Sequence, residues 1–226
     1  MTGTSHSPKH RYARAFAVLA LVVATHAAGE DSTVTRDIRG RHVFRFRIDP
    51  QLPPFRIEYV GNNANAPVEV LCYRSGGMVP FQRIDISEGE APYRGCDHYL
   101  TAIDINGDGY KDLRVLSFWG ATGNEIFTVY LWNTHAGRFE RSDAFSVCGK
   151  PLGKEGCCET HWNSGHAGRE FLDRKYCVQQ GTLVLVKRVH QEMSHADHCF
   201  YRTIEELKRG ELRVVSRTKV GCDGPE

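Results

Sequence analysis

Seven segments of this chain are dominated by period-two alternation of their side chains, the pattern of a strand with one buried face. In HVFRFRI (42–48), Val43, Arg45 and Arg47 fall on one face, and Phe44, Phe46 and Ile48 on the other. The same period runs through FRIEYV (55–60), LRVLSF (113–118), FTVYLW (127–132), TLVLVKRV (182–189), CFYRTI (199–204) and LRVVSRT (212–218). These segments are rich in β-branched and aromatic residues, as half-buried strands are. Turn-forming runs such as DPQLPP, GNNANAP, NGDG, GATGN and THAGR separate them. The pattern predicts an all-β fold of antiparallel sheets joined by hairpins, either a sandwich or a partial-propeller-like array. IEELKRG (204–210) has some helical character but fits the end of a strand. Residues 146–170, rich in glycine and cysteine, show no period and read as a long disulfide-stapled loop.

The N-terminus carries a different signal. Lys9, Arg11 and Arg14 precede AFAVLALVVA (15–24), and small residues follow. A basic segment, a short apolar run and a small-residue site make a secretory signal peptide, expected over residues 1–28. The run is too short to span a bilayer, for which ~20 apolar residues are needed. Residues 29–226 then form a single secreted β domain, with 29–95 less recognisable than 96–226. Cleavage takes three positive charges and no negative one from a net +2, leaving −1. A near-neutral chain lacks the basic surface that nucleic acid requires. No later segment approaches a membrane-spanning length.

All eight cysteines, Cys72, Cys96, Cys148, Cys157, Cys158, Cys177, Cys199 and Cys222, follow that signal. An even count behind a signal peptide points to disulfides in an oxidising compartment, periplasmic or extracellular. The expected pairs are Cys72–Cys96 and Cys199–Cys222. The other four pair among themselves, with the neighbours Cys157 and Cys158 taking different partners.

One short segment carries ligand chemistry. In DINGDGYKD (104–112), oxygen-bearing groups recur at alternate positions and a glycine sits sixth. Calcium is a hard cation that takes six to eight oxygens. Asp104, Asn106, Asp108, the Tyr110 carbonyl and Asp112 supply such a set, and Gly109 allows the turn. Position twelve is Val115 rather than a glutamate, and the flanks read as strands. This is therefore a strand-flanked calcium loop and not a helix–loop–helix hand. The alternative for the same residues is a metal-free Asp/Asn/Gly turn.

That loop, with Tyr130-Leu131-Trp132 and Gly137-Arg138-Phe139 after it, resembles one family. These are periplasmic immunity proteins against lysozyme-like effectors of type IV secretion, related to inhibitors of invertebrate-type lysozymes. The resemblance spans about residues 100–190 and is looser beyond 155. It implies a Ca2+-binding lysozyme inhibitor whose partner is a lysozyme-like peptidoglycan hydrolase. In the related inhibitors a Ser-Gly-x-x-Tyr loop enters the enzyme's cleft. The matching positions here begin at Ser164-Gly165, and Gly168 stands where the tyrosine would. The loop candidates are His161, Trp162, Ser164, His166, Arg169, Glu170 and Phe171. The target's cleft would hold the carboxylates that cleave glycosidic bonds, which His166 and Arg169 could meet as donors.

No nucleophile elbow, phosphate loop or His-Glu-x-x-His signature is present, so the expectation is a binding protein and not an enzyme. His190, His195 and His198 cluster on an expected hairpin, where a metal would be the alternative to ordinary surface histidines. A second reading of the whole is a calcium-stabilised extracytoplasmic β-module that binds a glycan or protein at the cell surface.

Overall fold

A computed structural model describes residues 33–36, 42–61, 67–86 and 100–222. The expected signal peptide and Cys96 lie outside these residues. Three antiparallel sheets account for nearly all of the described chain. The first contains β1 (Thr33–Arg36), β2 (His42–Phe46), β3 (Phe55–Gly61), β4 (Pro67–Tyr73) and β5 (Gln82–Asp85). The second contains β6 (Leu100–Ile103), β7 (Asp112–Trp119), β8 (Glu125–Asn133) and β9 (Arg138–Arg141). The third contains β10 (Cys157–Gly165), β11 (Glu170–Gln179), β12 (Thr182–Ser194), β13 (Cys199–Lys208) and β14 (Glu211–Cys222). Strand order follows chain order in each, so every sheet is a meander and none closes into a barrel. A single turn of helix, α1 (Asp143–Ser146), is capped by the Ser142 side chain, which accepts from Phe145 N.

The alternation read from the sequence builds one core between the first two sheets. Phe44, Phe46 and Ile48 are buried there, while Arg45 and Arg47 face out. Ile57, Val70, Cys72 and Ile84 meet Leu113, Val115, Tyr130 and Phe139 from the second sheet. Trp132 sits among Phe55, Phe81 and Phe139 with ring centroids 5.0–6.5 Å apart, all edge-on. Such pairs add to the burial of their large surfaces. Gln82 on β5 joins the two sheets. Its Oε1 accepts from Phe139 N at 2.8 Å and its Nε2 donates to Phe139 O at 2.6 Å, so one amide imitates a strand partner for β9.

The third sheet is built differently, and it corrects the reading of 146–170 as a loop. Residues 157–165 are β10 and pair with β11 in a hairpin. Few residues of this sheet are fully buried; the apolar ones are Cys158, Cys199 and Phe200. Covalent and polar links take over the work of a core. Cys157 lies directly opposite Cys177, and Cys199 opposite Cys222, and each pair is a disulfide. Cys148–Cys158 ties β10 to the segment after α1. Arg188 on β12 makes a two-pronged contact with Glu205 on β13.

The Cys199–Cys222 pair is the one expected, and Cys157 and Cys158 do take different partners. Cys72 is a buried thiol in this structure, without a disulfide, and burial pushes its pKa up to about 12. Its expected partner, Cys96, is among the residues not described. Peptide mapping of the exported protein should recover the other six cysteines as these three pairs, and Cys72 should resist alkylation until the chain is unfolded. Rapid labelling of Cys72 in the native protein would contradict its place in the core.

Candidate functional site

The 104–112 loop connects β6 to β7, with Ile103 paired to Asp112 at its neck. Its flanks are strands, as expected. The side chains wind the backbone inward. Asp104 accepts from Gly107 N at 2.8 Å and from Gly109 N at 2.9 Å. Asp108 accepts from Tyr110 N at 2.9 Å, and Asn106 accepts from Asp108 N at 3.1 Å. Gly107 and Gly109 both adopt positive φ, 78° and 90°, which a side chain would strain. Asp112 is fully buried. Its two oxygens accept from Ile105 N at 2.9 Å and Trp132 N at 2.8 Å, so the loop is anchored to β8.

This arrangement concentrates negative charge. Burial pushes the Asp112 carboxyl up to about 6, against the two amide hydrogen bonds, and the fields of Asp108 and Asp104 push the same way. Among the described residues no ion pair neutralises any of the three. Asn106 Nδ2 donates to Asp108 at 2.8 Å, a neutral dipole where a cation would be more effective. As placed, no group of three His, Cys, Asp or Glu side chains among the described residues is set to hold a metal ion. The donor types, the inward winding and the uncompensated charge nonetheless fit calcium: Asp104, Asn106, Asp108, the Tyr110 carbonyl and Asp112 would hold it, and it would supply charge neutralisation.

The second candidate site is the β10–β11 hairpin. The structure brings its sequence-predicted residues onto one stapled element. Trp162 and Ser164 lie on β10, His166 in the tip, and Glu170 and Phe171 at the start of β11, with Arg169 just before it. His166 and Ala167 both take positive φ, 46° and 52°, and Gly168 takes 85°. This backbone is held by its surroundings. Gln191 Nε2 donates to Arg169 O at 2.7 Å, and Met193 N donates to Glu170 Oε1 at 3.0 Å. The Arg169 guanidinium lies 4.0 Å over the Phe200 ring, and His166 meets the same ring edge-on at 5.8 Å. Glu170 and Phe171 are thus built into the sheet, whereas His166 and Arg169 combine an anchored base with an exposed position.

On the other side, the β7–β8 turn clamps the hairpin. Asn124, itself buried, accepts from Asn163 N and donates to Asn163 O, both at 2.8 Å. Trp162, 37% exposed, borders a cleft of about 370 Å³ with Ile126, Phe127 and Arg174. Sequence reasoning missed Asn124, Asn163 and Phe200. No local signal marks them, because each acts through a contact distant in the chain.

His161 sits between Asp173, 2.6 Å from Nδ1, and Asn163, 3.0 Å from Nε2. The hydrogen bond to Asp173 raises its pKa above the ordinary 6.5, with Asn163 adding to the rise and burial and Lys150 opposing it. A raised pKa means that the folded state favours the charged ring. The stabilisation is therefore complete below 6.5 and fades as pH rises through the higher folded midpoint. The pair is exposed, so the effect should stay under ~1 kcal/mol. An NMR titration should place the His161 midpoint above 6.5, and Asp173→Asn should lower it. A midpoint at or below 6.5 in the wild type would contradict this contact. His190 lies on β12 between Glu192 and Glu205, 3.8 Å from each, and His198 in the following turn; with His195 they make no metal-holding group among the described residues.

No protein-family model and no curated protein matches the chain. One solved structure similar to it is that of a Xanthomonas type IV secretion system related protein. The two are 19% identical, the match covers 84% of each chain, and the TM-score is 0.46. Among the described residues no helix is long and apolar enough to cross a membrane.

Proposed function

We propose that this chain is a calcium-binding inhibitor, an immunity protein of the extracytoplasmic space, that blocks the cleft of a lysozyme-like peptidoglycan hydrolase. It acts by binding and not by catalysis. The observation that carries the reading is the β10–β11 hairpin: closed at its base by Cys157–Cys177, tethered by Cys148–Cys158, and clamped at its tip by Asn124 and Gln191. A loop fixed before binding loses little entropy on binding. Trp162, His166 and Arg169 are the exposed groups it presents. Trp and Arg are over-represented among residues that dominate interfaces, and His166 and Arg169 would offer hydrogen-bond donors to a cleft that works with carboxylates. The calcium loop stabilises the scaffold from the far end of β8. The sequence resemblance over residues 100–190 supports the same assignment.

A lysozyme-like hydrolase gene is expected beside that of this chain, and a pull-down and inhibition assay with its product tests the reading. Stoichiometric binding that stops peptidoglycan cleavage is expected. Cleavage at an undiminished rate with the protein in excess would overturn the reading.

A further inference from the structure

A third region, distant from the hairpin, has the features of a ligand site. A cleft of about 460 Å³ opens beside the 104–112 loop, bordered by Asp49, Leu52, Phe55, Arg74, Tyr110 and Trp132. Its floor is aromatic and fixed. Trp132 and Phe55 are almost wholly buried and pack edge-on at 5.5 Å, and Tyr110 packs against the same core. The wall is fixed as well, because Lys111 N donates to Ile48 O at 2.8 Å and ties the 104–112 loop to the β2–β3 connection.

The rim offers one strong donor and one strong acceptor, both oriented. The Arg74 guanidinium is held 5.0 Å over the Phe81 ring. Asp49 Oδ1 is held by Gln51 N at 2.6 Å. One positive and one negative group leave the rim without net charge, which disfavours a charged ligand. The cleft is bordered by turns and by β3 and β8, each paired on both sides, so it has no strand edge to which an extended peptide could add. An aromatic floor with a few fixed polar groups is the usual build of a small-ligand site. A sugar ring matches both parts. Its C–H face suits an aromatic ring, and its vicinal hydroxyls suit a planar guanidinium and a carboxylate.

We propose that this cleft binds a neutral saccharide, with a pyranose ring against Tyr110 and hydroxyls shared between Arg74 and Asp49. Calcium enters through Tyr110, whose carbonyl belongs to the expected ligand set while its side chain borders the cleft. Saccharide affinity should therefore depend on calcium. The site is independent of the inhibitory hairpin. Asn124 clamps the hairpin at one end of β8 and Trp132 lies near the other, about 27 Å away at ~3.4 Å per residue.

Calorimetric titration of the exported protein with three neutral probes, the N-acetylglucosamine tetramer, cellotetraose and maltotetraose, tests this. At least one should bind in the presence of calcium. Arg74→Ala and Tyr110→Ala should each weaken it about tenfold or more, Tyr110→Phe should weaken it less, and Trp162→Ala should leave it unchanged. Chelation should also weaken it. Absence of binding by all three probes at millimolar concentration would overturn the proposal. So would affinity that survives both Arg74→Ala and Tyr110→Ala, or that is lost with Trp162→Ala. Preference for hexaglutamate over every saccharide would reassign the cleft to acidic peptides and overturn it too. Undiminished affinity in chelator would overturn the coupling to the loop. None of these results bears on hydrolase inhibition, which has its own assay.

Discussion

Chelating calcium should lower the unfolding temperature by several degrees, and Asp108→Ala should erase the difference between calcium and chelator. Asp104, Asp108 and Asp112 stand on one short loop, and the buried Asp112 is pushed up to about 6, first by its burial and also by its two acidic neighbours. A cation that binds only the folded loop adds RT ln(1 + [L]/Kd), roughly 2.7 kcal/mol at a hundredfold excess over Kd. For a domain of this size each 1 kcal/mol moves the midpoint by about 2–4 °C, so the expected shift is about 5–10 °C. Asp112 serves a second role, accepting from Ile105 N and Trp132 N. Asp112→Ala should therefore destabilise the protein even in chelator, by leaving two buried amides unsatisfied at about 1–3 kcal/mol each. Asp108 is exposed at the rim and its hydrogen-bond partners are exposed, so its loss should cost much less stability in chelator than in calcium. Identical melting curves for the wild type with calcium and with chelator would remove calcium from the account.

The legible parts of this chain are those whose signal is local. Six of the seven segments lie wholly within strands and HVFRFRI contributes β2 with its first five residues; in the first two sheets one face of each is buried against the shared core. The 104–112 loop was legible because its side chains act mostly within nine residues, the contact of Asp112 with Trp132 N apart. What escaped notice did so for physical reasons. β1, β5, β6 and β9 span four residues each, too few for a period to register. β10 and β11 run CCETHWNSG and EFLDRKYCVQ, polar on both faces. They belong to a sheet with little buried apolar surface, held in part by disulfides and ion pairs. The Cys199–Cys222 bridge was within reach because hairpin strands bring their ends together. The partition of Cys148, Cys157, Cys158 and Cys177 needed the β10–β11 register. Trp162, His166 and Arg169 could be nominated from the sequence, but the groups that hold them, Asn124, Gln191 and Phe200, come from three other strands or turns.

The inhibitor reading makes its sharpest demand on that hairpin. Trp162→Ala and Arg169→Ala should each weaken binding to the hydrolase by ~2 kcal/mol or more, roughly thirtyfold. The double variant need not show the sum, since neighbouring residues couple. Arg169 also covers Phe200, so its substitution must be checked for an unchanged melting temperature. Lys111→Ala, at the opposite end of β8, should leave potency intact. The direct measurement is the inhibition constant against the lysozyme-like peptidoglycan hydrolase expected as partner, for wild type and for the folded Trp162→Ala, Arg169→Ala double variant. Strong inhibition by the wild type and a loss of at least about thirtyfold in the double variant are expected. Equal potency of the two, with the fold intact, would contradict it and move the inhibitory surface away from the hairpin.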